Sequence, residues 1–322
     1  MKSVISLISL LFVTFSLTAH NVEYSKKDSS DYISKLDNSF EASGEYQIDF
    51  THFALYNAQN ERVFNYYPNM RGVVSFGARY KFLFFGYSFN LKENAIYDSL
   101  YGVTHFNQIS FGIKTRPIWF TFYYSKHKGF YISNENMLFP KFRTDSLYAQ
   151  NNDLITVRLG TRLDIIFSKK YSMEAAFEYS KIQKKSAGSF VLRLNPEYNY
   201  IDAIENPIIP QQYISQFEGL EYYYKTQFFN FGLGLGYAYS MVKGPFNFSN
   251  FAMIGPTVSL YAYDGLEVDF PLLMSFKSSL SFNIKYCYIG VLASLDVQNY
   301  TLENNTIRKQ NLAFMVRAGL RL

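Results

Sequence analysis

The chain has 322 residues, of which 18% are charged and 19% aromatic, with 32 Phe and 29 Tyr against a single Trp. Its net charge of +5, or +4 on loss of Lys2, is too mild and too scattered for a nucleic-acid-binding stripe. The lone cysteine, Cys287, excludes an internal disulfide and has no partners nearby for a metal site, so no cofactor is expected.

Met1-Lys2 precedes an apolar run from Val4 to Leu17 that ends in Thr18-Ala19 before the polar His20. A cationic start, a short apolar middle and a small-residue exit predict a secretory signal over 1–19, cleaved after Ala19. No Cys follows the run, so a lipoprotein anchor is not expected. Charged or amide residues interrupt every later apolar stretch before it could cross a bilayer as a helix. For an exported chain, surplus rings and low charge suit a lipid-facing band with aromatic girdles. The expected organisation is a periplasmic segment over 20–44 and a barrel over 45–322.

Strands are predicted near 45–57, 70–80, 82–92, 105–115, 118–127, 153–167, 171–183, 229–242, 249–263, 273–285, 288–299 and 309–322. Along 153–167, Ile155, Val157, Leu159, Leu163 and Ile165 alternate with Thr156, Arg158, Gly160, Arg162 and Asp164. Along 229–242, Phe231, Leu233, Leu235, Tyr237 and Tyr239 alternate with Gly232, Gly234, Gly236, Ala238 and Ser240. The polar face is rich in Gly, Ala and Ser, not in the Lys and Glu that coat a soluble sandwich, which favours apolar-out and polar-in. Tight turns at 80–81, 116–117, 168–170, 242–245 and 286–287 alternate with longer loops at 58–69, 93–104, 128–152, 184–228, 264–272 and 300–308. The fold class read from this is all-β: an up-and-down antiparallel transmembrane barrel of about twelve strands, both termini on the short-turn rim.

One segment breaks the pattern. Carrying the parity of 171–183 forward would point Phe190, Leu192 and Leu194 into the lumen, so either a bulge or turn intervenes around Ala187-Gly188 or that segment leaves the wall.

Four stretches carry a family resemblance: Gln183-Lys184-Lys185-Ser186-Ala187-Gly188-Ser189-Phe190, Tyr67-Pro68-Asn69, Lys128-Gly129-Phe130-Tyr131 and Gly236-Tyr237-Ala238-Tyr239. In them the chain resembles an uncharacterised Bacteroidota family catalogued as domain of unknown function 4421, whose members look like outer-membrane barrels. The resemblance implies the fold and localisation and no catalytic residue.

Pairing of 153–167 with 171–183 would set Arg162 near Glu174 and Glu178, Asp164 near Glu174 and Arg158 towards Ser180. The result would be a lumen charge network, either a structural set of ion pairs or a selectivity ladder. Lys184, Lys185, Ser186 and the Gly188 backbone are a candidate anion or lipid-headgroup site, expected at the loop-side rim with Gly188 at positive φ. The neighbouring Lys185-Ser186 pair is poorly placed as base and nucleophile. His127, two residues after Ser125, invites comparison with an outer-membrane phospholipase, without a pattern joining it to an acidic orienter. The functional expectation is a non-enzymatic barrel: a narrow or plugged channel, a lipid-binding element or a partner in an envelope machine. Outer-membrane lipid, lipopolysaccharide or another envelope protein are the expected partners, and loops 128–152 and 184–228 the expected plugs. The alternative is a lipid-modifying hydrolase built into the wall.

Overall fold

The computed structural model describes residues 31–34, 40–133, 148–203, 206–217, 224–262, 266–302 and 305–321. The signal expected over 1–19 lies outside them.

Alternating side chains produce a single antiparallel sheet that closes on itself. Its strands are β1 (Phe40–Asp49), β2 (His52–Tyr56), β3 (Arg62–Tyr67), β4 (Val73–Tyr80), β5 (Leu83–Asn90), β6 (His105–Lys114), β7 (Ile118–Ser133) and β8 (Ala149–Ile166). There follow β9 (Ala187–Ala203), β10 (Lys225–Lys243), β11 (Phe246–Ala262), β12 (Leu266–Asp269), β13 (Leu272–Asn283), β14 (Cys287–Leu302) and β15 (Asn305–Arg321). Three wall strands are interrupted, as β1/β2, β3/β4 and β12/β13, which makes these fifteen segments twelve strands. Closure is between β1 and β15, in register from Glu41 opposite Arg321 to Asp49 opposite Ala313.

On β10, Phe229, Phe231, Leu233, Leu235, Tyr237 and Tyr239 face outward and are exposed, while Phe228, Asn230, Ala238 and Ser240 face inward and are buried. In a closed sheet the outward belt can only face lipid, so the barrel is transmembrane, as its sequence pattern indicates.

The seventh wall strand is not where the alternation of 171–183 puts it. That segment carries a five-residue π-helical turn, Glu174–Glu178, inside the barrel, and the wall is continued by β9, which lies in the stretch expected to be loop. Neither expected resolution holds, since Gly188 makes no turn and the segment carrying Phe190 stays in the wall; it is 171–183 that leaves it, so Phe190 faces outward while Val191 and Arg193 are buried inside.

The barrel also narrows towards its long loops. β5 and β6 stop early and are joined through helix α1 (Ala95–Tyr101), while above them β3 bonds directly to β7, with Tyr66 opposite Ile132. Removing two strands from the ring contracts its bore. Two of the family stretches make this junction. Asn69 donates its backbone N–H to Thr104 Oγ1 at 2.8 Å, and Thr104 Oγ1 donates to the Gly129 carbonyl at 2.8 Å. Gly129 has φ of 89°, and a side chain there would strike the Val103 carbonyl; at this glycine the β7–β8 register shifts by two residues, from Lys128 opposite Ile155 to Phe130 opposite Asn151.

Candidate functional site

The lumen is blocked from both ends, and a polar chamber lies between the blocks. On the short-turn side the connection from β8 to β9 runs back into the barrel. Glu174, Ala175, Ala176 and Phe177 are buried, and Phe177 and Met173 pack with Trp119, Val191, Phe251, Met253 and Leu292 from the inner wall. A buried turn this short pairs only its first carbonyls, such as Glu174 with the Ser180 N–H at 3.2 Å, so the wall supplies donors to the rest. Asn247 Nδ2 donates to the Ala175 carbonyl at 3.1 Å and Ser279 Oγ to that of Ala176 at 2.5 Å. Asn283 Nδ2 donates to the Tyr179 carbonyl at 3.1 Å and to that of Lys181 at 2.8 Å, and Arg321 also donates to Tyr179.

Charge completes the attachment. Arg79 on β4 pairs with Glu174 at 3.2 Å and with Glu41 at 2.8 Å, and donates to the Ser180 carbonyl at 3.1 Å. Lys181 pairs with Glu174, and Lys114 on β6 pairs with Glu178. At the foot of the plug, Gln183 accepts from the Ser172 N–H at 3.1 Å and donates to the Lys170 carbonyl at 2.6 Å. Residues 32–34 run antiparallel beside it: Ser34 N–H donates to the Ile182 carbonyl at 2.9 Å and Lys184 N–H to that of Tyr32 at 2.7 Å.

On the loop side the closure is apolar. Ile208, Ile209 and Phe217 of the β9–β10 connection are buried among Phe53, Phe64, Tyr66, Phe228 and other rings of the narrowed neck. Part of the expected plug 184–228 thus does enter the lumen. Of 128–152, the ends extend β7 and β8 and residues 134–147 lie outside the described residues.

The chamber between has a volume of about 230 Å³ and is lined by Tyr123, Arg158, Arg162, Arg193, Asp296 and Lys309 among others. Arg193 pairs with Asp164 through two hydrogen bonds of 2.6 and 3.1 Å, and Arg162 lies 3.5 Å from the same carboxylate. Arg158 pairs with Glu197, which also accepts from Tyr123 at 2.5 Å. Thr121 Oγ1 and Asn311 Oδ1 line this space with no hydrogen-bond partner among the described residues, the pattern of an interior that admits water.

The five charged residues expected in the lumen, Arg158, Arg162, Asp164, Glu174 and Glu178, all lie there, but their expected pairs do not form. Arg158 and Asp164 pair with Glu197 and Arg193 of β9, while the two glutamates reach back to β4 and β6 because they ride on the plug. Arg79, Lys114, Arg193 and Glu197 were not singled out from the sequence. For Arg193 and Glu197, the polar positions between Leu192, Leu194 and Tyr198 are the signal.

Lys184, Lys185 and Ser186 are exposed, but on the short-turn rim, opposite to the expected one, since they precede β9 where β10 and β15 end. Ser186 Oγ accepts from the Val242 N–H at 2.9 Å. Gly188 has no positive φ; it is a strand residue on which the Tyr237 ring lies, so the expected turn there is absent. His127 faces the Phe106 ring at 4.5 Å, and no carboxylate among the described residues hydrogen-bonds it.

Fold and site together define a closed transmembrane barrel with its own internal plug. The chain belongs to the family described as a domain of unknown function, DUF4421, whose model matches residues 26–320. Comparison with curated proteins gives no match. Among solved structures, the outer-membrane protease OmpT from Escherichia coli is similar at 6% identity and a TM-score of 0.39, covering 90% of this chain and 98% of its own. The translocator domain of the autotransporter NalP from Neisseria meningitidis is similar at 8% identity and a TM-score of 0.35, covering 100% and 98%. A deltaS2 mutant of the monoaromatic hydrocarbon channel TodX is similar at 5% identity and a TM-score of 0.32, covering 88% and 91%.

Proposed function

We propose that this is a bacterial outer-membrane barrel that serves as a gated passage for small polar solutes, without catalytic activity of its own. The observation that carries the reading is the polar chamber sealed on the short-turn side by a segment whose carboxylates and backbone carbonyls are held by ion pairs and side-chain hydrogen bonds to the wall. A plug needed only for stability would be served as well by apolar packing, whereas polar contacts exchange for water at modest net cost when a segment moves. The lumen wall carries charge of both signs and, in Ser125 and His127, no oriented catalytic set, which favours passage over hydrolysis.

The test is conductance of the refolded full barrel in planar bilayers. The native protein should be nearly silent, and replacement of residues 172–182 by a short Gly/Ser link should open a steady pore. A folded, link-replaced barrel that stays silent would overturn the gated-passage reading.

A further inference from the structure

The turns of the short-turn rim share a chemistry that the wall does not require. Lys81, Lys243 and Lys285 occupy three of its tight turns and are exposed. Around the base of the plug the chain adds Lys169, Lys170, Lys184 and Lys185, all exposed. Arg116 occupies the remaining tight turn, where it donates to the Tyr171 carbonyl at 2.5 Å. None of the stretches 80–83, 115–118, 167–171, 181–187, 243–246 and 283–287 contains Asp or Glu, and among the described residues Asp31 is the exposed acid nearest to them. The opposite rim is mixed, carrying Glu61 and Asp98 as well as Lys92 and Lys225.

The turn lysines and Lys169 adjoin outward rings, while Lys170 and Lys185 lie 5.2 and 5.4 Å from the centre of the Tyr32 ring beside the plug. Tyr80 and Phe82 flank Lys81, Phe167 precedes Lys169, Phe246 follows Lys243, and Tyr286 follows Lys285, all exposed. Lys81 Nζ lies 5.2 Å from the Tyr80 ring centre, and Lys285 Nζ 4.9 Å from that of Tyr286. Rings at the edge of an apolar belt sit at the boundary between acyl chains and headgroups. The neighbouring lysines are then at the depth of the phosphates, with long stems that can follow a mobile headgroup.

We infer that this rim is a collar for anionic phospholipid, binding the phosphodiester headgroups of the leaflet on the short-turn side. The cations point at the leaflet opposite to lipopolysaccharide, because long loops face outward in barrels of this class. A soluble acidic partner would need the lysines but not the rings. Their alternation around the circumference, at the edge of the lipid-facing belt, is what selects lipid.

The experiment refolds the full barrel into phosphatidylcholine vesicles containing a minor share of phosphatidylglycerol, extracts it mildly, and counts each retained lipid by native mass spectrometry. The native barrel should be enriched in phosphatidylglycerol over the bulk mixture. Changing the seven exposed rim lysines to Gln should lower that enrichment roughly tenfold or more, given the usual contribution of each cation near an anionic surface. Lys92→Gln with Lys225→Gln, on the other rim, should leave it unchanged. Changing only Lys81, Lys243 and Lys285, which sit in tight turns and not on the plug, should cause a partial loss, and heat-modifiable migration reports folding throughout. Equal retention of the two lipids by the native barrel, or undiminished enrichment in the folded seven-lysine variant, overturns the collar. Equal loss from the opposite-rim variant overturns its one-sidedness.

Discussion

The ring of Tyr179 lies against the backbone of Gly290, and its hydroxyl donates to the neighbouring Val291 carbonyl at 2.9 Å. Tyr179 has φ of 62°, which turns the chain at the end of the plug and sends this ring to the inner wall of β14. The plug therefore depends on a wall position with no side chain. Gly290→Val should force the ring out at a cost of about 1–3 kcal/mol, as overpacking does elsewhere. We expect a barrel that still migrates in a heat-modifiable way but conducts. A folded, silent Gly290→Val barrel would show that the contact does not hold the plug.

Glu178 supplies a pH dependence. Burial alone would raise its carboxyl, but Lys114 and Arg317 beside it outweigh burial and hold it below the usual carboxylate range. A carboxyl lowered in the folded state stabilises it above the unfolded value and loses that contribution as pH falls through the lowered value. The native barrel should thus stay closed at neutral pH and begin to conduct under acid conditions. Glu178→Gln leaves Lys114 buried without its partner, at roughly 3 kcal/mol, and should conduct already at neutral pH with little further response to acid. Channel recordings across the acid range check both.

The Arg193–Asp164 pair is buried, at 4% and 1% exposure, and links β9 to β8. Arg193→Met leaves Asp164 with Arg162 alone, 3.5 Å away, whereas Asp164→Leu strips both arginines of this carboxylate and should cost more, about 3–5 kcal/mol; the double change should recover part of that loss. Urea unfolding of the barrel in detergent or lipid measures it, and additive losses would contradict a coupled pair.

Gly188 and Tyr237 should be coupled in the same sense. A methyl at 188 overlaps the Tyr237 ring, so Gly188→Ala should destabilise the native barrel by about 1–3 kcal/mol. In a Tyr237→Ala background the same change should cost less, the remainder being its contact with the Ala238 carbonyl. A penalty that persists undiminished there would mean that the Ala238 carbonyl, not the ring, demands glycine.

The Gly188–Tyr237 contact also shows what two of the family stretches do, one from 183–190 and the other from 236–239: they meet across β9 and β10 on the outer face. The stretches at 67–69 and 128–131 meet through Asn69, Thr104 and Gly129, where β5 and β6 drop out of the ring. Both meetings are structural, and neither assembles a nucleophile.

The alternation of apolar and polar residues by itself determined the barrel, its twelve strands and its inside and outside, because a period of two assigns every residue in a strand to one solvent or the other. Most strand positions follow from the same rule. It misled at 171–183, where Met173, Ala175 and Phe177 alternate correctly but Glu-Ala-Ala-Phe-Glu is poor strand material and good helix material. Periodicity reports which residues share a face, not whether that face belongs to the wall. Only the tertiary structure decided that this segment fills the lumen, since the choice rests on donors and cations spread over β4, β6, β11, β13 and β15. Each is a single polar residue on an inward face, indistinguishable in sequence from one that faces water.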